Sequence, residues 1–357
     1  MNDQKMKVAL IGPFPPPYGG ISIHIQRLTK LLDEHNVQCT IYDTTQLLTA
    51  NKINKDSHVK KLPKIIEFNK GIVHIHSANF NLLKIFLLSN LLKIKNSKII
   101  ITYHSFRNEI QKTDRLTKMI IRFCFTHVSH FFVVNQKIKE KLITLGIEQE
   151  KITVLPGFLP PVLLKKDIED IPSDIWTFIE NHQPIISANA YKIVFYNNQD
   201  LYGIDMCIDL CIKLKKKYPQ IGFVFCLPSI GDKKYFTQLK DKMIENDINN
   251  NFIFVTEPYQ FYPILMKSDL FVRPTNTDGD AISIRESIFY KIPSVVSNVV
   301  PRPQGTILFH NRDMNDFTLK VENVLKNYEN YKNELENLTT ENTFEKIMHI
   351  YQKLNKE

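Results

Sequence analysis

Short apolar runs recur along the chain at 8–11, 39–42, 72–75, 98–103, 131–134 and 152–155. Between the first two, Ile21, Ile25, Leu28 and Leu32 return at the three-to-four-residue spacing of one helix face, and 82–92, 111–127 and 137–145 also carry helical patterns. The strands are continuously apolar. A strand with one wet face would alternate, so these runs predict a parallel sheet covered by helices on both faces. At 156–186 the rhythm breaks: Pro156, Pro160, Pro161, Pro172 and Pro184 cluster among mixed charges, and the stretch reads as an interdomain connection. A second series follows, with strands at 193–196, 222–226, 252–255, 270–272 and 294–297 and helices at 205–216, 235–246, 261–266 and 283–290. Helices at 314–329 and 342–355 close the chain. Two successive doubly wound α/β domains are predicted, at 1–160 and 161–340, with ligands held at the carboxyl ends of the strands.

Size and composition agree with this division. A length of 357 residues suits two domains. A 43% hydrophobic content, 23% charged, suits two packed cores. Five cysteines form no CxxC pair, and Cys207 and Cys211, one helical turn apart, read as two core residues on one helix face. The beginning of the chain reads as a strand rather than a secretory leader, and no apolar run reaches the ~20 residues of a membrane span. A cytoplasmic location is expected. Charge is uneven: residues 1–160 hold 23 Lys and Arg against 11 Asp and Glu, the remainder 23 against 26. Such a basic half suits an anionic partner or a solvated, Lys-rich surface. Without any RRM, KH, zinc or helix-turn-helix pattern, a nucleic acid is not expected as that partner.

Two segments offer chemistry. Gly19-Gly20 joins the first strand to the first helix, where the backbone can approach a ligand and free N–H groups face an anion. The second segment runs from Asp269 to Glu286. There a buried strand ends in Arg273, a polar loop carries Asp278, Gly279, Asp280 and Ala281, and a helix opens through Ile282 and Ser283. N–H groups near 281–283 suit a phosphate, and the Glu286 carboxylate, a turn further in, suits a ribose diol.

This segment resembles the retaining GT-B glycosyltransferases of family four, also called glycosyl transferases group 1, whose second domain carries two acidic residues with seven others between them. Asp278 and Glu286 stand at those positions. The likeness extends through the GGI loop, the run Val73-His74-Ile75-His76-Ser77, Thr102-Tyr103-His104 and Val154-Leu155-Pro156-Gly157. It implies two Rossmann-like domains facing a central cleft, with a final helix, 341–357, crossing back to the first. It also implies a nucleotide-diphospho-sugar donor, UDP-linked in many relatives, and a glycan or lipid-linked acceptor in bacterial cell-surface polysaccharide assembly.

The resemblance also implies roles. Glu286 would hold the donor ribose, and the backbone of Ile282 and Ser283 the distal phosphate. Asp278 would hold the transferred sugar with nearby N–H groups of Gly279, Asp280 and Ala281. His104 would lie over the reacting centre, and Gly20, beside Gly19, would approach the diphosphate or the acceptor. Same-face attack, with the leaving phosphate as base, would retain configuration. No cofactor and no metal are implied. Asp278-Gly279-Asp280 matches the DxD metal motif of the other large glycosyltransferase fold, but that motif belongs to a single-domain architecture.

At one place the chain departs from the family. An Arg and, five residues on, a Lys usually follow the first strand of the second domain and neutralise the diphosphate. Alignment on Gly203 puts Asn197 and Tyr202 there. Either Arg273, Arg302 or Arg285 supplies the charge, or the chain is a non-catalytic GT-B subunit that stabilises a partner transferase. Finally, Lys112, Arg115, Lys118 and Arg122 alternate with apolar residues, a pattern shared by helices that pack on their own sheet and helices that lie on an anionic membrane.

Overall fold

The structure is a computed structural model and describes residues 6–15, 20–45, 58–68, 70–76, 97–104, 119, 123, 125, 128–278, 281–338 and 342–356. The chain divides into two compact units, Met1–Val162 with Glu341–Glu357, and Leu163–Thr340.

In the first unit the strands are β1 (Lys7–Gly12), β2 (Gln38–Asp43), β3 (Val59–Lys61), β4 (Gly71–His76), β5 (Ser97–Tyr103), β6 (His130–Val133) and β7 (Ile152–Val154). They form one sheet in the order β3-β2-β1-β4-β5-β6-β7, and every neighbouring pair is parallel. The order reverses beside β1, as in a doubly wound fold. Both faces are buried, which is why β1 has no polar alternation. Val8 and Leu10 pack with Ile25, Leu28 and Leu32 of the helix Gly20–Glu34 and with Phe344, Ile347 and Tyr351 of the final helix, Thr343–Lys356. Ala9 and Ile11 pack with Phe131 and Leu142 on the other face. The final helix therefore belongs to the first unit, as the family resemblance implies. Gly12 ends β1 where the first helix and β4 converge; a Cβ there would lie 2.6 Å from the His76 carbonyl oxygen.

In the second unit the strands are β8 (Ile185–Asn189), β9 (Phe195–Tyr196), β10 (Gln199–Asp200), β11 (Gly222–Cys226), β12 (Phe252–Val255), β13 (Leu270–Arg273), β14 (Ser294–Ser297) and β15 (Ile307–Phe309). Six form a parallel sheet in the order β12-β11-β8-β13-β14-β15, while β9 and β10 make a separate antiparallel pair.

Two expectations need correction here. The first strand of this unit is β8, which begins at the end of the expected connection, and not 193–196. The expected connection also contains the helices Lys165–Glu169 and Ser173–Glu180. Ile175 and Ile179 of the latter pack against Ile185 and Val224. The prolines punctuate packed elements, and the apolar spacing at 171, 175 and 179 is the signal they masked. The run 193–196 leads into a hairpin. Asn197 and Asn198 both have positive φ, 49° and 59°, the requirement of the two-residue type I′ turn that asparagine tolerates.

The described cysteines Cys39, Cys207, Cys211 and Cys226 are buried and unbridged. Cys207 and Cys211 lie in one core cluster, where burial raises both thiols, Cys211 to about 12. Among the described residues no helix is long and apolar enough to cross a membrane. The basic residues Lys112, Arg115, Lys118 and Arg122 lie outside the described residues.

His130 on β6 ties the edge of the first sheet together, its Nε2 standing 2.8 Å from Thr153 Oγ1. Burial, assisted by Lys353, lowers its pKa to about 4. Below its ordinary value of about 6.5 the unfolded chain takes up a proton that the folded chain refuses. The stability from this group is thus complete above pH 6.5 and falls on acidification towards pH 4 by about 1.4 kcal/mol per pH unit. His130→Gln should remove that share of the acid slope in urea unfolding, and an unchanged slope in a folded variant would contradict the assignment.

Candidate functional site

In the second unit the polar residues gather where strands end. Asn189 ends β8, Arg273 ends β13 and Ser297 ends β14. The Arg273 Nη1 donates to the Asn189 backbone oxygen at 2.9 Å and to its Oδ1 at 3.3 Å. Its Nε donates to Asp278 Oδ2 at 3.3 Å. Arg302, on the loop after β14, donates from Nη1 to the same Oδ2 at 2.9 Å. Its Nε reaches the Ser297 backbone oxygen at 3.0 Å and its Nη2 the Ser297 Oγ at 3.3 Å. The side chains are 11% exposed for Arg273 and Asp278 and 2% for Arg302. Burial at this level demands such dense pairing, because an unpaired guanidinium away from water loses solvation that nothing else restores. Among the described residues, one oxygen of Asp278 is shared by the two guanidiniums at the carboxyl edge of the sheet.

The rest of the loop is fixed by short polar links. Thr275 Oγ1, with one hydrogen to donate, lies 2.8 Å from the Leu201 backbone oxygen and 2.6 Å from that of Thr277, and Ser297 Oγ donates to the Thr275 oxygen at 2.5 Å. Gly203 has φ 68°, and a Cβ there would collide with the Pro274 carbonyl oxygen, so the residue is glycine for both reasons. Asp200 caps the helix Ile204–Lys215, accepting from Tyr202 N at 3.0 Å and Ile204 N at 2.9 Å. Burial, then the nearby Asp205, pushes its carboxyl up to about 6.

The predicted residues fare unevenly. Arg273 and Arg302 come together on Asp278. Tyr202 lies under the Arg273 guanidinium, 5.1 Å from ring centroid to carbon, so a cation stands beside the position where the family usually has Lys. Asn197, placed by alignment on Gly203, is exposed at the tip of the β9–β10 hairpin. Ala281 precedes the helix Ile282–Phe289, and within that helix Ser283 and Glu286 are buried. Gly279 and Asp280 lie outside the described residues, as does Gly19; Gly20 is the exposed first residue of its helix. Asn189 and Ser297 were missed, although each is a polar residue directly after an apolar run.

In the first unit, period-two alternation puts His74 and His76 on the face that carries Ile72. His74 is held at both nitrogens, Nδ1 2.5 Å from Tyr351 Oη and Nε2 2.6 Å from Thr102 Oγ1. His76 Nδ1 lies 3.3 Å from Nε2 of the half-buried His104. His24 of the first helix stands against both, with ring centroids 5.2 Å from His76 and 4.8 Å from His104. Burial lowers the pKa of all four, His24 to about 4, so they are neutral near pH 7.

Residues 18–161 match the family described as Glycosyltransferase Family 4, and residues 178–341 match Glycosyl transferases group 1. The chain belongs to the family-four, group-1 glycosyltransferases. No protein of curated function matches its sequence.

Among solved structures this glycosyltransferase is similar to one from Rickettsia africae, at 14% identity and TM-score 0.68, covering 99% of this chain and 100% of that one. It is also similar to the pneumococcal O-GlcNAc transferase GtfA, solved with UDP and GlcNAc, at 10% identity and TM-score 0.67, covering 99% and 100%. Anabaena HepE, solved with UDP, matches at 11% identity and TM-score 0.60 over 98% and 99%. At these identities the likeness is one of fold, and the fold is GT-B.

The shared carboxylate sets a measurable demand on the glycosyltransferase. Asp278→Asn leaves two buried guanidiniums facing each other without their common anion, and should destabilise the second unit by about 3–5 kcal/mol in urea unfolding. A loss under about 1 kcal/mol would mean that Arg273 and Arg302 find solvent or other partners at no penalty.

Proposed function

We propose that the protein transfers a sugar, with retention of configuration, from a UDP-sugar to a glycan or lipid-linked acceptor in cell-surface polysaccharide assembly. The observation that carries this reading is the convergence of Arg273 and Arg302 at the carboxyl ends of β13 and β14. As a glycosidic bond to a diphosphate breaks, negative charge grows on the distal phosphate. Preorganised cations that need no reorganisation stabilise that charge more than the ground state. Arg273 and Arg302 do this in place of the family's usual Arg and Lys. Glu286 takes the ribose diol, N–H groups at Ile282 and Ser283 take the distal phosphate, and Asp278 both holds the two arginines and borders the transferred sugar. His104 lies over the reacting centre, and Gly20 approaches the diphosphate or the acceptor. The donor site uses no divalent cation. UDP is favoured as the nucleotide because GtfA and HepE were solved with it. Work on a lipid-linked acceptor suits a protein at the inner face of the membrane, held there by Lys112, Arg115, Lys118 and Arg122.

The reading of a non-catalytic subunit draws on Asn197 and Tyr202. It loses ground once Arg273 stacks on Tyr202 and Asn197 turns a hairpin.

Arg302→Gln should lower turnover at least about 100-fold with little change in KM, on the scale of losing one preorganised donor. Wild-type turnover in a folded variant would remove the support for this site. Glu286→Gln should weaken UDP binding about 10–100-fold by calorimetry, the worth of a charge-assisted hydrogen bond; unchanged affinity would place the ribose elsewhere.

A further inference from the structure

The histidines of the first unit form a cluster of which the sugar-transfer reading uses His104 alone. His24, His76 and His104 each offer a ring nitrogen, and these three atoms lie within 4.8 Å of one another. His24 Nδ1 lies 2.9 Å from the Gly157 backbone oxygen. A carbonyl only accepts, so Nδ1 carries the proton and Nε2 keeps its lone pair. That Nε2 is buried and has no hydrogen-bond partner, and so is the Nε2 of His76. A buried imidazole nitrogen without a partner is costly in a protein interior, and a ligand at His24 Nε2 would relieve it; His76 can offer either nitrogen, and Nδ1 is the one that faces His104.

The geometry has a chemical counterpart. His76 Nδ1 and His104 Nε2 are 3.3 Å apart. Two Zn–N bonds of about 2.0–2.1 Å at the tetrahedral angle separate their nitrogens by about 3.3–3.4 Å. A ring N–H given to a backbone carbonyl, as His24 gives to Gly157, is the outer partner that metal-bound imidazoles regularly have; it fixes the tautomer and aims the other nitrogen. His74 is set apart from the group, since Tyr351 and Thr102 occupy both its nitrogens. All three candidate ligands come from ordered elements of one unit: the first helix, β4 and the residue after β5.

We propose that His24, His76 and His104 form a binding site for a divalent transition metal of the Zn²⁺ class. Neutral imidazoles suit such an ion and not Mg²⁺ or Ca²⁺, which take oxygen ligands. Three histidines leave the fourth tetrahedral position to water, on the side where His104 is half-buried. The family resemblance implies no metal, and the DxD-like acidic loop lies in the second unit. This site is a different one, in the other unit, and it stands whether or not the donor-site reading does.

The test uses the full-length protein, stripped with EDTA and titrated with Co²⁺ and then Zn²⁺. One equivalent of Co²⁺ should produce the visible absorption of a low-symmetry Co²⁺–imidazole site, and one equivalent of Zn²⁺ should bleach it. His76→Gln and His104→Gln should each weaken Zn²⁺ binding at least about 100-fold. His310→Gln, which removes an exposed histidine of the second unit, should leave it unchanged. Circular dichroism identifies variants that fold, and half-buried His104 is the replacement the fold tolerates more readily. No one-equivalent absorption in the wild type overturns the proposal whatever the variants do. Binding retained in a folded His104→Gln also overturns it, since surface groups would then be the ligands.

Discussion

A parallel sheet buried on both faces has nowhere along its strands to keep a polar side chain exposed to water. Helices cover both sides, and the backbone hydrogen bonds are spent on neighbouring strands. Polar chemistry is therefore pushed to the strand ends, and in both units of this chain it collects at the carboxyl ends. In the second unit Asn189, Arg273 and Ser297 are each the last residue of a central strand. In the first, His76 ends β4 and His104 follows β5. His74 and Thr102 sit one step deeper and are hydrogen-bonded to each other, as burial on that face requires.

The two edges solve the problem of burial differently. The first unit buries imidazoles, which can shed their charge; burial keeps them neutral and they need only hydrogen bonds or a soft ligand. The second unit buries guanidiniums, which cannot lose their charge, so a carboxylate and several backbone oxygens must surround them. Asp278 serves both arginines with one oxygen, and this sharing fixes the two guanidiniums side by side where β13 and β14 end.

Much of the architecture was legible because period and length carry it. Unbroken apolar runs separated by helical spacing gave the two parallel sheets, and most strands lie within a residue or two of where the pattern puts them. The failures have local causes. Five prolines suggested a connection, yet two helices lie among them and β8 follows the last, because proline is tolerated at helix starts and just before strands. The stretch 193–196 has the composition of a strand, but Asn197-Asn198 turns it back on itself. Asn197, which alignment on Gly203 sets at the family's Arg position, is the first residue of that turn and is exposed.

The sequence by itself determined the fold class, the family and the loops that carry polar residues, because these depend on spacing along one chain. It named Arg273, Arg302 and Asp278 but could not say that one oxygen of Asp278 holds both arginines. That geometry needs the ends of β13 and β14 side by side, residues 24 apart in sequence. Likewise His24, His76 and His104 come from a helix, a strand and a loop separated by 28 to 52 positions, and their approach is fixed only when β4 pairs with β5 and the first helix packs across them. Contacts of that range depend on register and packing, which the local pattern constrains only through the whole fold.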